Sequence, residues 1–310
     1  MKDRIVLGSR GSDLALIQAR MVETALRRAS PDLSIETRII RTRGDESRGS
    51  ERLLPAGAGR KGLFTAEIER ALVCGDIDVA VHSAKDLPST LAAETRIAAT
   101  LPRAAVEDIL VSPNGNTLAS LPQKAVVATG SVRRQHQLQW QRPDVEIIDL
   151  RGNVPTRLRK LISEGWNGAI LARAGLERLG HRIEGSLIQF ENSTLTASVL
   201  PLDIFVPAGG QGVVALQTRA EDQPVLHAVR AVNDPDASVC LRGEREFLRL
   251  LHADCNQPVG VFAFLEGTLM KMRAQVFWPS GNAPRIAAVQ GKPENAEQLA
   301  AELLRATNGE

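Results

Sequence analysis

Arginine recurs in this chain where short apolar runs give way to glycine and hydroxyl residues. Gly8-Ser9-Arg10-Gly11-Ser12 follows Ile5-Val6-Leu7, and Thr129-Gly130-Ser131-Val132-Arg133-Arg134 follows Val126-Val127. Leu150-Arg151-Gly152-Asn153 with Thr156-Arg157 follows Ile147-Ile148, and Arg173 comes after Ile170-Leu171-Ala172. Each segment reads as a strand that turns into a helix. There, free backbone N–H groups, a hydroxyl and a guanidinium can converge on an anion. Taken singly, each is an ordinary capped helix start. Three successive strand ends carrying Arg point instead to at least two of these sites sharing one anionic ligand at the carboxyl ends of a sheet. A fourth segment, Val79-Ala80-Val81-His82-Ser83-Ala84-Lys85-Asp86-Leu87-Pro88, ends a strand in a lysine–aspartate pair. A carboxylate set among cations can stabilise a developing positive charge or direct an N–H proton. The competing reading is a turn ion pair worth about 0–1 kcal/mol. His82 reads as a satisfied core histidine. Cys255 falls in a turn between a helix and a strand. A lone Cys is more often a small buried residue, but a loop Cys is the better candidate for a reactive thiolate. Cys74 falls in an apolar helix and fits the buried reading.

Composition narrows the partners. The chain has 310 residues, 43% of them hydrophobic and 24% charged, which is the globular range. It holds 31 Arg against 7 Lys, with a net charge of only +2, so no global field favours DNA. Seven Phe, three Trp and no Tyr leave little for a base-stacking platform. No P-loop, HExxH or CxxC pattern occurs, and no metal site is expected. Pro207-Ala208-Gly209-Gly210-Gln211-Gly212 reads as a tight turn before a strand rather than a dinucleotide fingerprint. The N-terminal residues enter a strand directly, without the apolar core of a signal peptide, and no stretch of 18 apolar residues occurs. With an odd number of cysteines, this predicts a cytoplasmic protein.

Strand and helix alternate through the first two-thirds. Residues 5–8, 35–40, 79–82, 126–129, 146–150 and 169–172 read as strands. Residues 13–29, 63–74, 132–141, 154–164 and 174–179 read as helices, with Ser12 as an N-cap and Pro155 in a first turn. Residues 42–62, with five Gly and one Pro, read as a long binding loop or lid. The pattern predicts α/β units with mostly parallel sheets. Crossings between two such units fall near 100–103 and 200–206. From about residue 222 the texture changes to helices at 225–232 and 239–251, a hairpin about Glu266-Gly267, a strand at 284–290 and a helix at 294–305. That is an α+β unit.

In this order, these segments resemble the porphobilinogen deaminase (hydroxymethylbilane synthase) family over almost the whole chain. The resemblance is carried by Ser9-Arg10-Gly11-Ser12-Asp13-Leu14-Ala15, Thr42-Arg43-Gly44-Asp45, Lys61-Gly62-Leu63-Phe64 and Val81-His82-Ser83-Ala84-Lys85-Asp86. Gly130-Ser131-Val132-Arg133-Arg134-Gln135, the Arg151 and Arg157 segment, Ala174-Gly175-Leu176, Gly210-Gln211-Gly212, and Cys255 with Pro258 and Gly260 complete it. It implies two periplasmic-binding-protein-like α/β domains with a double chain crossover and a smaller α+β C-terminal domain. The expected boundaries are 1–101 with 203–221, 102–202, and 222–310.

The resemblance also implies a transferase that condenses four porphobilinogen molecules, with loss of ammonia, onto a dipyrromethane cofactor. The cofactor is thioether-linked to Cys255, and hydrolysis releases a linear tetrapyrrole. By resemblance, Asp86, Arg10 and Lys85 are catalytic. Asp86 holds pyrrole N–H groups and stabilises the azafulvene cation, and Arg10 assists proton transfer. Asp86, Lys85, Ser131, Arg133 and Arg134 bind the cofactor, while Arg10, Ser12, Phe64, Arg151 and Arg157 bind substrate. The chain departs from the family pattern at Ala253-Asp254, where Gly-Gly is usual before the cofactor Cys. The implied protein is a monomer acting on a small molecule, without nucleic acid or membrane partners. The other class compatible with strand-end arginines is a non-catalytic, periplasmic-type anion-binding or regulatory protein. Adjacent substrate carboxylates repel by up to about 4 kcal/mol per pair near a protein surface. Charge-assisted hydrogen bonds of about 1.5–3 kcal/mol each offset that repulsion.

Overall fold

The computed structural model describes residues 2–42, 62–252, 257–278 and 283–309. Strand β1 (Arg4–Ser9) leads into helix α1 (Asp13–Ala29), whose Ser12 cap accepts from the Ala15 N–H at 3.4 Å. Helix α1 buries Val22 and Leu26 against Ile5 and Leu7 of β1. Strand β2 (Ser34–Ile39), helix α2 (Gly62–Val73), strand β3 (Val79–Ser83) and strand β4 (Thr95–Thr100) follow. The chain then crosses into a second lobe built from β5 (Asp108–Ser112), β6 (Val126–Ala128), α3 (Val132–Gln141) and β7 (Glu146–Ile148). Helix α4 (Val154–Ser163), β8 (Gly168–Ala172), α5 (Arg173–Arg178), β9 (Leu187–Phe190) and β10 (Ser193–Val199) complete it. A second crossing returns to β11 (Val214–Arg219) in the first sheet.

The two sheets share one plan. The first has the order β2-β1-β3-β11-β4 and the second β7-β6-β8-β5-β10-β9. In each, three parallel strands are followed by antiparallel ones. The expectation of mostly parallel sheets is therefore corrected to mixed sheets. The reason lies in the crossings. Strands β3 and β8 end at the junction between the lobes. Strands β11 and β5 begin there, with Val214 opposite Ser83 and Asp108 opposite Ala172. A strand that starts where its neighbour stops must run the other way.

Helix α6 (Gln223–Arg230) and helix α7 (Pro235–Leu250) follow. Helix α6 packs Val225 and Val229 into the first lobe's core beside Val214 and Leu216. Helix α7 starts earlier than its apolar spacing suggested, because Asp234 caps it, accepting from the Ala237 N–H at 2.8 Å with Pro235 in the first turn. Strands β12 (Val259–Glu266), β13 (Leu269–Val276) and β14 (Arg285–Gly291) form an antiparallel meander. Helices α7 and α8 (Ala296–Asn308) cover it, burying Phe247, Met270, Met272 and Leu303. Burial of side chains of this size contributes roughly 1.5–3 kcal/mol each. Cys240 is buried in this unit, and burial pushes its thiol up to about 12. Cys74, expected to be buried, is exposed: it lies one residue past the end of α2.

The third unit is fastened to both crossings by Glu244 of α7, which has no exposed surface. Its carboxylate accepts from Arg103 of the first crossing at 2.6 and 3.2 Å. It also accepts from the Gly210 N–H of the second crossing at 2.6 Å and from the Ala263 N–H of β12 at 2.8 Å. Arg103 also donates to the Gln211 carbonyl at 2.9 Å and lies 5.1 Å from the Phe262 ring centre. Removing one partner of a buried pair strands the other charge at a cost of about 3–5 kcal/mol. Glu244→Ala is therefore expected to lower the thermal stability of the junction between the third unit and the lobes. Scanning calorimetry will show an earlier or newly separated transition, and an unchanged thermogram would contradict this account.

Candidate active site

The carboxyl ends of β1, β3, β6, β7 and β8 meet where the lobes face each other. The strand-end motifs of Arg10, Lys85, Arg133, Arg151 and Arg173 sit at these ends. Ser12 caps α1, and Lys85 and Asp86 form a single 3-10 turn at Ala84–Asp86 after β3. Ser131 precedes α3 without making a side-chain cap bond. Asn153 caps α4, its Oδ1 accepting from the Thr156 N–H at 3.0 Å and the Thr156 hydroxyl at 2.6 Å. Gly152 has φ +113°, and a Cβ there would lie 2.8 Å from the Thr156 side chain. This turn therefore requires glycine. A small cavity of about 30 Å³ opens between the lobes, with Gln18, Ser83, Lys85, Arg178 and Gln211 on its walls.

Lys85 is half-buried, and its Nζ donates to Gln211 Oε1 at 3.2 Å. Burial brings its ammonium down to about 8, assisted by the charges of Arg134 and Arg133 and opposed by Asp86 and Asp108. Asp86 is also half-buried, and its charge acts on Lys85, His82 and Arg157. The Arg157 guanidinium is pushed below its ordinary value, first by burial and then by Arg134, while Asp86 and Asp149 oppose the shift. Its Nε donates to the Gly152 carbonyl at 2.8 Å. Arg157, Arg134, Lys85 and Asp86 thus form one electrostatic group drawn from both lobes.

Arg133 and Arg134 stand differently from the expectation of a helix start reaching freely toward a ligand. Each is 5% exposed, and both turn onto Asp108 at the start of β5. Arg134 Nη2 donates to Asp108 Oδ1 at 2.6 Å and Nη1 to the Ile170 carbonyl at 3.0 Å. Arg133 Nη1 donates to the Val206 carbonyl at 2.9 Å and to Gln137 at 2.8 Å. It lies 2.8 Å from Asp108 Oδ2, a charge contact without hydrogen-bond alignment. Despite full burial, the two guanidiniums hold Asp108 well below the usual carboxylate range.

The remaining sites separate. Arg10 is half-buried beside Ser9, whose hydroxyl donates to the Arg10 and Ala15 carbonyls. Arg151 is exposed and pairs with Asp149 at 2.6 Å. Arg173, after β8, is engaged by Glu177 at 2.7 Å and Glu107 at 3.4 Å. Most of the 42–62 loop, the Phe64 side chain and Cys255 lie outside the described residues. Two residues on the cleft were missed. Arg178 Nη2 donates to the Gly212 carbonyl at 2.7 Å. Gln211 was read as part of a turn. Arg178 carries no local motif signal beyond its position after β8, while Gln211 lies in the Gly210-Gln211-Gly212 motif, which gave it no role of its own.

The Nε atoms of Arg133, Arg134 and Arg178 are buried with no hydrogen-bond partner. Unpartnered guanidinium N–H groups, with Lys85 and Arg157 nearby, suit a ligand bearing several carboxylates. A dipyrromethane with acetate and propionate side chains fits that requirement. Among the described residues, no cluster of His, Cys, Asp or Glu could hold a metal ion.

Fold and site together define a two-lobed α/β protein with a cation-rich cleft and a third, α+β unit fastened to its hinge. A family model described as "Porphobilinogen deaminase, dipyromethane cofactor binding domain" matches residues 5–227, and the porphobilinogen deaminase C-terminal domain matches 238–307. The porphobilinogen deaminase of Moorella thermoacetica is 41% identical over 301 residues, covering 97% of this chain and 92% of that protein. That of Roseiflexus sp. (strain RS-1) is 43% identical over 276 residues, covering 89% and 86%. The periplasmic VFT2 domain of Bordetella pertussis BvgS is a solved structure with TM-score 0.44 and 13% identity, covering 74% of this chain and 86% of that one. The chain belongs to the porphobilinogen deaminase family.

His82, on the strand that delivers Lys85 and Asp86, is buried, and its Nε2 lies 3.0 Å from Gln217 Oε1. Burial brings it down to about 4, outweighing the Gln217 contact and the charges of Glu69 and Asp86. The unfolded chain therefore takes up a proton that the folded chain refuses. Stability falls as pH drops from the unfolded value near 6.5 toward about 4. At about pH 5 the contribution is roughly 2 kcal/mol, at about 1.36 kcal/mol per unit. A folded His82→Gln variant is expected to lose less stability between about pH 7.5 and about pH 5 than the parent, as read from urea midpoints. Equal losses would contradict the buried, neutral assignment.

Proposed function

We propose that this chain is a working porphobilinogen deaminase. It joins four porphobilinogen molecules head to tail with loss of ammonia and releases hydroxymethylbilane by hydrolysis. The observation that carries this reading is the electrostatic group of Lys85, Asp86, Arg134 and Arg157, assembled from both lobes at the cleft. When bound, the dipyrromethane supplies a nucleophilic pyrrole carbon on which the chain is extended. Cys255 would hold it as a thioether, a link that survives turnover because a thiolate is a good carbon nucleophile.

The chain's own residues divide the remaining work. Lys85, Ser131, Arg133 and Arg134 hold carboxylates of the cofactor. Arg10, Ser12, Arg151 and Arg157 take those of the incoming substrate, and Phe64 packs on its ring. Asp86 accepts from pyrrole N–H groups. As the aminomethyl C–N bond breaks and ammonia leaves, the carboxylate stabilises the cation formed on the substrate. The new C–C bond then forms, and the ring proton is lost to a base, with Arg10 beside the path of proton transfer. Burial strengthens each of these contacts relative to water.

We also place the units at 2–101 with 203–232, at 102–202, and at 235–309, which keeps α6 with the sheet it covers. The protein is proposed to act as a cytoplasmic monomer without nucleic acid or membrane partners. No described helix is long and apolar enough to cross a membrane. A non-catalytic anion-binding protein would use the cations and leave Asp86 without a task. Asp86→Asn decides between them. The variant is expected to fold and to lose turnover by about 10²–10⁴-fold, the usual range for removing a group that acts in the transition state. Turnover of porphobilinogen within about threefold of the parent would exclude the assigned role.

A further inference from the structure

The turn at 207–212 places one side chain against both lobes. We propose that Gln211 is a positioning residue that ties the Lys85 ammonium to the buried Asp108 of the other lobe through a single amide. Gln211 is 1% exposed. Its Nε2 donates to the Val106 carbonyl at 2.7 Å and to Asp108 Oδ1 at 2.9 Å, and its Oε1 accepts from Lys85 Nζ at 3.2 Å. The orientation of the amide is determined by these partners. Both N–H groups are taken by oxygen acceptors, and only the carbonyl end faces the ammonium. A flipped amide would set an oxygen against a carboxylate and an NH₂ against a cation.

The backbone of Gln211 is held equally tightly. Its N–H donates to the Ala208 carbonyl at 2.9 Å, and its carbonyl accepts from Arg103 Nε at 2.9 Å. Gly210 beside it has φ +78°, and a Cβ there would lie 2.9 Å from the backbone N of Lys85. The second crossing therefore presses against the Lys85 turn from below while the amide holds its side chain. Only a neutral group with a donor at one end and an acceptor at the other satisfies both neighbours. A carboxylate would face Asp108, and an apolar chain would leave Lys85 without its acceptor.

The consequence concerns charge. Lys85 is faced by Asp86 on its own turn, Asp108 on β5, Arg133 and Arg134 on α3, and Arg178 on α5 across the cleft. Burial already brings the ammonium down to about 8. Gln211 supplies an acceptor that favours the charged form, so Lys85 remains a cation at neutral pH and can bind a carboxylate. The inference deepens the proposed role of Lys85 and rests on that role only for its effect on turnover.

The chain has seven lysines, so Lys85 can be followed directly by NMR of 13Cε-labelled lysine in the purified full-length protein, assigned by its absence in Lys85→Arg. Gln211→Met keeps the volume and removes the acceptor, and is expected to lower the Lys85 titration midpoint by about one pH unit. Gln211→Glu keeps the acceptor and adds charge, and is expected to raise it. The alkaline limb of turnover should move with the midpoint in each protein. Midpoints that stay at the parent value, or that shift the same way in both variants, overturn the proposal. If only one variant folds, the sign of its shift decides. Midpoints that move as expected while the turnover limb stays fixed support the tie to Gln211 and refute the assigned role of Lys85.

Discussion

Asp108 has no exposed surface, accepts from Arg134 at 2.6 Å and Gln211 at 2.9 Å, and lies 2.8 Å from Arg133. Two guanidiniums cannot be buried side by side without such a counter-charge, because the desolvation and mutual repulsion are uncompensated. One carboxylate balances only one of them. With Lys85 held in the same group, the region keeps an excess of positive charge and a set of guanidinium N–H groups without protein partners. In the proposed reading, the protein is arranged around a deficit that a polycarboxylate fills. Asp86 adds a second carboxylate to this group, its charge acting on Lys85 and Arg157, and it is the residue proposed to stabilise a positive charge on substrate.

The same economy operates a few residues away. Glu244 is also fully buried, and it gathers Arg103, two backbone N–H groups and both crossings into one point. The lobes are joined by two strands of chain, and each crossing is held by a buried carboxylate from another unit. The sheets answer to this hinge as well. Their parallel strands deliver loops to the cleft, and β4, β5, β10 and β11 begin or end at the crossings.

Much of this was legible locally. Ser12 and Pro155 mark helix starts that the structure reproduces, and the helix read at 132–141 is found with those bounds. The hairpin and helices of the α+β unit were legible for the same reason. Strands β4, β5, β9, β10 and β11 were not singled out, since their pairing is settled by partners far along the chain. The inward turn of Arg133 and Arg134 depends on Asp108, whose position at the start of a crossing strand no local pattern reveals. Arg173 shows the converse: an arginine at the right strand end is claimed by Glu107 and Glu177. The cap that lengthens α7, Asp234-Pro235, was present in the sequence and outweighed by hydrophobic spacing. Gln211 needed three dimensions, because its partners lie at 85, 106 and 108.

The central claim is that the positive excess holds a covalent primer and its growing chain, anchored at Cys255. The direct measurement is the intact mass of the purified protein, before and after brief exposure to porphobilinogen, beside a Cys255→Ala variant. The account predicts a primer on the parent protein and further discrete increments, each one substrate unit less ammonia, with neither on the variant. An unmodified parent that gains nothing from substrate, or a variant that carries the same adducts, would contradict it.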